Sequence, residues 1–281
     1  MAPPPHAPRG AECDERNTAE RGAIRGSLPT AWEGIVTRGR MISAPTDTTE
    51  RRRKLLAKSQ FVHKMKGMKR MIDLLLFLKS NPYPGRGIVI GSDRVYYFIM
   101  GRSENSRNRV FVKTEDGIRT KAFDPSKLTD PSLVIYHPVR AVNGNLIVTN
   151  GDQTDTIVEA GDFRAALMTR TYEPDAPHYT PRISSILRAD GSFELSILKR
   201  GPGGSCLREF FSYEDVPAGV GYFLSTYAGP GEPLPSYSGE PMEIALPEPG
   251  EVWAALNPDN KVALYANVRG AVTLFNKHLG D

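Results

Sequence analysis

Two cysteines are all that 281 residues carry, Cys13 and Cys206, and neither has a CxxC partner or a histidine at metal-ligand spacing. That argues against a disulfide scaffold and against a structural zinc site. Long apolar runs are missing as well: stretches such as Leu74 to Leu78 fall far short of the ~20 residues that span a bilayer. The N-terminus lacks a basic stretch followed by an apolar core and a small-residue cleavage site, so a reducing cytoplasm is the expected location. A strong charge of one sign is lacking too. The net +4 comes entirely from residues 1–70, with 15 Lys and Arg against 7 Asp and Glu, while the rest holds 21 against 25. The part expected to fold is mildly acidic, which weakens a nucleic-acid reading of the whole chain.

What is present begins at residue 71. Residues 1–70 show Pro3-Pro4-Pro5, then mixed Gly, Pro, Ser, Thr and Arg with no sustained period of 2 or 3.6, and read as a disordered extension. With Met65, Met68 and Met71 just ahead of the first convincing element, a misassigned start is the other reading. Arg51-Arg52-Arg53-Lys54 is a basic run of the kind that grips RNA or, more often, is a solvated tail. Residues 71–281 read as one domain, and the 40% hydrophobic content of the whole chain is enough for a core.

Within that domain Leu74 to Leu78 fits a short helix or a buried strand, ended by Pro82 and Pro84. Ile88 to Ile90 and Val95 to Ile99 form a hairpin. Strands are expected at Val110 to Val112, Ile118 to Phe123, Leu133 to Tyr136, Val139 to Val142 and Leu146 to Val148. Asn150 to Asp155 supplies helix-start residues, with helical composition continuing to Met168 despite Gly161. Ile183 to Leu187 and Phe193 to Leu198 make a second hairpin around Asp190-Gly191. Strands at Leu207 to Tyr213, Tyr222 to Tyr227, Lys261 to Val268 and Val272 to Phe275, with a helix at Val252 to Leu256, complete the set. Many antiparallel strands with two or three helices imply an α+β layered domain.

The densest chemistry lies in Met100-Gly101-Arg102-Ser103-Glu104-Asn105-Ser106-Arg107-Asn108-Arg109, between two β runs. Planar guanidinium groups hold phosphate through paired hydrogen bonds, and short hydroxyl and amide side chains complete such a site. A sugar phosphate is the first ligand this pattern suggests; a solvated polar hairpin is the alternative. Asn150-Gly151-Asp152-Gln153-Thr154, where a strand gives way to a helix, offers free backbone N–H groups to an anion, or is simply a helix cap on a tight turn.

Together with Tyr83-Pro84-Gly85-Arg86-Gly87-Ile88 and Tyr172-Glu173-Pro174-Asp175-Ala176-Pro177-His178-Tyr179-Thr180-Pro181-Arg182-Ile183, these segments, in this order, resemble the inosine monophosphate (IMP) cyclohydrolase family of archaea and its bacterial relatives. The likeness runs from about Met71 to the C-terminus; residues 1–70 do not share it. It implies an N-terminal-nucleophile-hydrolase-like α-β-β-α layered fold with mainly antiparallel sheets. It also implies dehydrative ring closure of 5-formamidoimidazole-4-carboxamide ribonucleotide to IMP, formally a hydrolase acting on cyclic amidines, in de novo purine biosynthesis. A purine-pathway nucleotide as ligand and a homo-oligomer follow from the same resemblance. Such a reaction has no redox change and no second substrate, so no cofactor and no metal are expected. It calls for orientation, charge stabilisation and proton transfer.

The resemblance places the catalytic arginine at Arg109, an active-site tyrosine at Tyr136 and an acidic residue at Glu173. Asp175, two residues on, is an equal candidate for the proton-handling role. Substrate contacts are expected from Arg102, Ser103, Asn105, Arg107, Asn150, Asp152, Asp175 and Arg182. Two other functions compete: an amide hydrolase on the same fold, disfavoured because neither Met1 nor Met71 offers a terminal nucleophile, and a non-enzymatic protein binding purine nucleotides or RNA.

Overall fold

A computed structural model of the chain describes residues 71–129, 131 and 133–280. The expected extension, the Arg51 to Lys54 run and the alternative start codons lie outside the described residues, Met71 excepted. The first described helix, α1 (Leu74–Ser80), settles the ambiguity at Leu74 to Leu78. Asp73 caps it, its carboxylate accepting from Leu76 N at 3.0 Å, and Leu74 and Leu78 bury one stripe. The chain then enters β1 (Arg86–Gly91) and turns into β2 (Arg94–Met100). A single helical turn, α2 (Glu104–Arg107), leads into β3 (Arg109–Lys113), β4 (Gly117–Ala122), β5 (Val139–Val142) and β6 (Asn145–Thr149).

Helices α3 (Gln153–Ala160) and α4 (Phe163–Met168) follow. They are two helices rather than one continued helix because Gly161 adopts φ 66° and closes α3. Next come β7 (Arg182–Leu187), β8 (Phe193–Arg200), β9 (Cys206–Tyr213), β10 (Val220–Ser225), β11 (Met242–Ala245), α5 (Pro249–Ala255), β12 (Lys261–Val268) and β13 (Ala271–Asn276).

The strands form two sheets, a six-stranded one in the order β11-β10-β1-β2-β12-β13 and a seven-stranded one from β3 to β9 in chain order. Neighbours within both are antiparallel, as the hairpin-rich sequence leads one to expect. Three cores bind the unit. Ile88, Tyr97 and Ile99 of one sheet pack with Phe111, Val148, Ile183 and Leu195 of the other. Alternate residues of the first sheet, Val89, Tyr96 and Phe98, pack with Leu74, Leu78, Val252 and Trp253 from α1 and α5. Ile147, Ile186 and Leu198 of the second sheet pack with Ile157, Phe163 and Leu167 from α3 and α4. Period-2 alternation along strands that are buried on both faces is what these near-continuous apolar runs encode.

One expected strand is a turn. Leu133 to Tyr136 folds over Pro131, whose carbonyl accepts from Val134 N and Ile135 N at 3.1 and 2.9 Å. Thr120 then takes the polar groups a neighbouring strand would have satisfied: its hydroxyl reaches Val134 O at 2.8 Å, and its N–H donates to Tyr136 O at 2.9 Å. Among the described residues, no helix is long and apolar enough to cross a membrane.

Candidate active site

Four strands begin with an arginine. Arg94 of β2 is only half-buried; the other three are Arg86, which opens β1, Arg109, which opens β3, and Arg182, which opens β7. All three side chains are buried. Gly85 makes the first possible. Its φ of 80° suits glycine, and a Cβ there would lie 2.2 Å from Thr226 Oγ1 and 2.5 Å from the Tyr227 ring.

Arg109 is 0% exposed. Its Nε donates to Ser106 O at 2.8 Å, and Nη1 and Nη2 have no hydrogen-bond partner. Two such donors, stripped of water, are costly to leave unmade. Burial pulls this guanidinium below its ordinary range, with the charge of Arg86 acting the same way. Burial works against Arg86 as well, but Glu173 and the surrounding phenols Tyr136, Tyr227 and Tyr83 outweigh it and hold its charge firmly in place. Arg86 Nε is likewise without a partner.

Glu173 enters from the loop between α4 and β7, where its backbone N–H donates to Thr180 O at 2.9 Å. Burial pushes its carboxyl up to about 7, against the pull of Arg86, Arg182 and Arg109. Asp175 is in a different position. Its Oδ1 accepts from Thr180 N at 2.6 Å and its Oδ2 bonds the Thr180 hydroxyl, so both oxygens shape the turn. The Tyr136 hydroxyl meets that of Tyr97 at 2.9 Å.

Around this centre lies a supporting set. Arg182 Nη1 donates to Asp152 Oδ1 and to Gln153 Oε1, both at 2.7 Å, and Asp152 also pairs with Arg170. Burial would raise the Asp152 carboxyl, but the two arginines win and hold it low. Gly151 is small because a Cβ would come within 2.5 Å of Arg182 Nη1. Asn150, fully buried, spends its amide on Pro181 O at 2.9 Å and its oxygen on Ile183 N at 2.8 Å. It is a strut between β6 and β7. Asp152, by contrast, stands at the cap position of α3 without a capping hydrogen bond.

Arg102, Ser103, Asn105 and Arg107 of the arginine-rich decapeptide lie outward. Ser103 caps α2, its hydroxyl accepting from Ser106 N at 3.1 Å while the Ser106 hydroxyl accepts from Ser103 N at 3.0 Å. Asn105 Oδ1 accepts from Thr129 N at 3.4 Å. Arg107 donates to Gly101 O and to Asn260 Oδ1 at 2.9 and 3.0 Å. Arg102 is exposed: it lies 5.3 Å over the Tyr83 ring, contacts His178 Nε2 at 2.9 Å and has Glu232 at 3.9 Å.

The structure therefore groups Arg109, Tyr136, Glu173 and Arg182, attaches Asp152 behind them, and leaves Ser103, Asn105 and Arg107 on the surface turn. It adds two residues that the sequence reading gave no role, Arg86 and Tyr97. A lone charge between two glycines at the head of an apolar strand is the signal for Arg86. Tyr97 has no such signal, being one aromatic in Val95-Tyr96-Tyr97-Phe98-Ile99.

Unpartnered buried donors, a carboxyl that titrates near neutrality and a phenol make up a dry acid–base site suited to an oxygen that acquires negative charge. Residues 83–271 match the family described as IMP cyclohydrolase-like protein, and the chain belongs to that family. It is also similar to the IMP cyclohydrolase of Methanococcus aeolicus, 26% identical over 160 residues that cover 52% of this chain and 74% of the relative.

Proposed function

We propose that the protein is an IMP cyclohydrolase, closing the ring of 5-formamidoimidazole-4-carboxamide ribonucleotide with loss of water. The observation that carries this reading is Arg109: fully buried, held by Nε alone, with two free guanidinium donors beside Tyr136 and Glu173. In the first step the carboxamide nitrogen attacks the formyl carbon. The C–N bond forms, the carbonyl π pair moves to oxygen, and Arg109 stabilises that charge. Glu173 accepts the proton the nitrogen gives up; near pH 7 its carboxyl is available in both forms. In the second step the oxyanion takes that proton back from Glu173 and becomes the carbinolamine hydroxyl. Its C–O bond then breaks, Tyr136 gives a proton to the departing hydroxyl to make water, and the formamido nitrogen releases one that restores Tyr136 as the C=N bond forms.

Arg86 pulls Glu173 toward its charged form against the larger effect of burial, and Asp152 with Gln153 holds Arg182 toward the same centre. Arg102, exposed and held only by an aromatic face and weak partners, is assigned to the phosphate, with Ser103, Asn105 and Arg107 shaping its turn. Asn150 and Asp175 serve as struts. The α-β-β-α layering of the N-terminal-nucleophile hydrolases belongs to the same proposal. What supports it is the trio of cores, one shared by the sheets and one joining each sheet to its helices. The one-domain span 71–281, a cytoplasmic setting and a homo-oligomer complete it.

The test is to mix the purified full chain with the formamido ribonucleotide, chelator present and folate absent, and follow the absorbance of ring closure. Rapid appearance of IMP is expected. Folded protein that leaves the substrate unconverted would overturn the reading.

A further inference from the structure

We propose that Tyr97 is a positioning residue: its hydroxyl donates to the Tyr136 oxygen 2.9 Å away and so turns the Tyr136 proton toward the substrate. For what Tyr136 acts on, this rests on the cyclohydrolase reading; the hydrogen bond itself does not.

The two rings arrive from different sheets and are each fixed before they meet. Tyr97 lies on β2 among Val95, Ile99 and Ile88, wholly buried, with its ring stacked on Phe111 at 5.9 Å between centroids. Tyr136 stands in the turn after β4. Its N–H donates to Thr120 Oγ1 and its carbonyl accepts from Thr120 N, both at 2.9 Å. Neither ring can swing away without breaking a packed contact or a backbone bond, so their hydroxyl tips are held together.

A phenol carries one proton, and direction matters. The charged neighbours Arg86 and Arg109 are donors only, so they offer the Tyr97 proton nowhere to go. The Tyr136 oxygen is the acceptor in reach, and a buried hydroxyl at 0% exposure is strongly held to it. Once Tyr97 donates, the Tyr136 oxygen has its own proton left to point elsewhere. Burial pushes the Tyr97 phenol far above its usual range, with the Tyr136 charge adding to this, so Tyr97 remains a donor throughout the working range of pH.

The arrangement also helps as the proton leaves. When the carbinolamine C–O bond breaks, the Tyr136 proton joins the hydroxyl to make water, and negative charge grows on the Tyr136 oxygen. The Tyr97 hydrogen bond is stronger to that charged oxygen than to the neutral one, so it favours the transition state over the ground state. The proton released by the formamido nitrogen as its C=N bond forms replaces the one Tyr136 gave up. No oxidant, reductant or second substrate enters.

The experiment uses the full chain with Tyr97→Phe, Tyr136→Phe and the double variant, with tyrosine ring carbons labelled for NMR. Tyr97→Phe is expected to lower kcat about tenfold, the worth of one hydrogen bond in a barrier, with KM within about twofold. In the Tyr136→Phe background the same change should cost nothing further. The Tyr136 ζ-carbon signal should move in Tyr97→Phe, and the Tyr97 signal should move in Tyr136→Phe. An unchanged kcat in Tyr97→Phe, fully additive losses, or ζ-carbon signals that ignore each other's substitution would each overturn the proposal. If the parent protein fails to form IMP, the reaction reading falls, while the NMR signals still decide the pairing.

Discussion

Arg107 and Arg109 are two residues apart and chemically identical, yet they occupy opposite conditions. Arg107 ends a helical turn at the surface and has Gly101 O and Asn260 as partners. Arg109 begins a strand, is completely buried, and keeps two donors unmatched. The difference is produced by one turn of helix, capped by Ser103 and Ser106, which reverses the direction in which successive side chains point. A buried charge with open donors lowers the stability of the empty protein and is useful only when something occupies it, whereas a surface arginine with two acceptors is already at rest.

The sharpest way to break this comparison is to replace each arginine by lysine. Arg109→Lys keeps a charge but loses the planar fork, and turnover should fall 100- to 1,000-fold, about 3–4 kcal/mol in barrier. Arg107→Lys should stay within about fivefold. Arg109→Met should lose turnover as completely as Arg109→Lys while melting no lower than the parent, because it removes an uncompensated buried charge. Steady-state kinetics beside thermal melts check all three. Equal losses for the two lysine variants would erase the distinction.

Much of the frame is legible from residues. The hairpins at Ile88 to Ile99 and Ile183 to Leu198 follow from apolar runs hinged on short polar turns, and both form. Leu133 to Tyr136 misleads because it is apolar enough for a strand but has its hydrogen bonds taken by Pro131 and Thr120. Within the candidate site, Arg109, Tyr136 and Glu173 are named through the family resemblance, and a residue inside an ordinary strand without that help, such as Tyr97, does not stand out. Tyr97 reads as core because it is core along most of its ring, and its single polar atom matters only once Tyr136 is brought to it across the sheets. The decapeptide reads as one anion cluster because composition does not reveal the helical turn that divides it.

A second contrast lies between Glu173 and Asp175, which the sequence leaves interchangeable. The Glu173 carboxyl is raised from about 4.5 to about 7 by burial, so the folded protein binds its proton more tightly than the unfolded chain. Its contribution to stability is therefore fully present below pH 4.5 and is lost as pH rises through 7, a fall of up to about 3 kcal/mol. Glu173→Gln should remove that slope from denaturation curves taken between these limits. It should also abolish the rise of kcat/KM centred near pH 7. In Asp175→Asn both profiles should persist, displaced to lower pH because the Asp175 charge that helps raise Glu173 is gone, and weakened by looser packing of the Thr180 turn. A Glu173→Gln protein with the parental slope would return the proton-handling role to an open question.

The smallest effect concerns what the surface turn contributes. Ser103 and Ser106 satisfy one another's backbone donors, which is how four residues sustain a helical turn at all. Ser103→Ala removes one capping bond and should cost about 1 kcal/mol, a melting shift of about 2–4 °C for a unit of this size. Its hydroxyl is committed to Ser106 N, so kcat should remain within about threefold of the parent, and KM should rise modestly as Arg102 loses its fixed approach. Isotherms for the nucleotide, read beside the melts, separate the two contributions. If Ser103→Ala abolished binding at unchanged stability, the hydroxyl would be touching the ligand itself, and the division between a structural outer turn and a chemical inner arginine would have to be drawn one residue earlier.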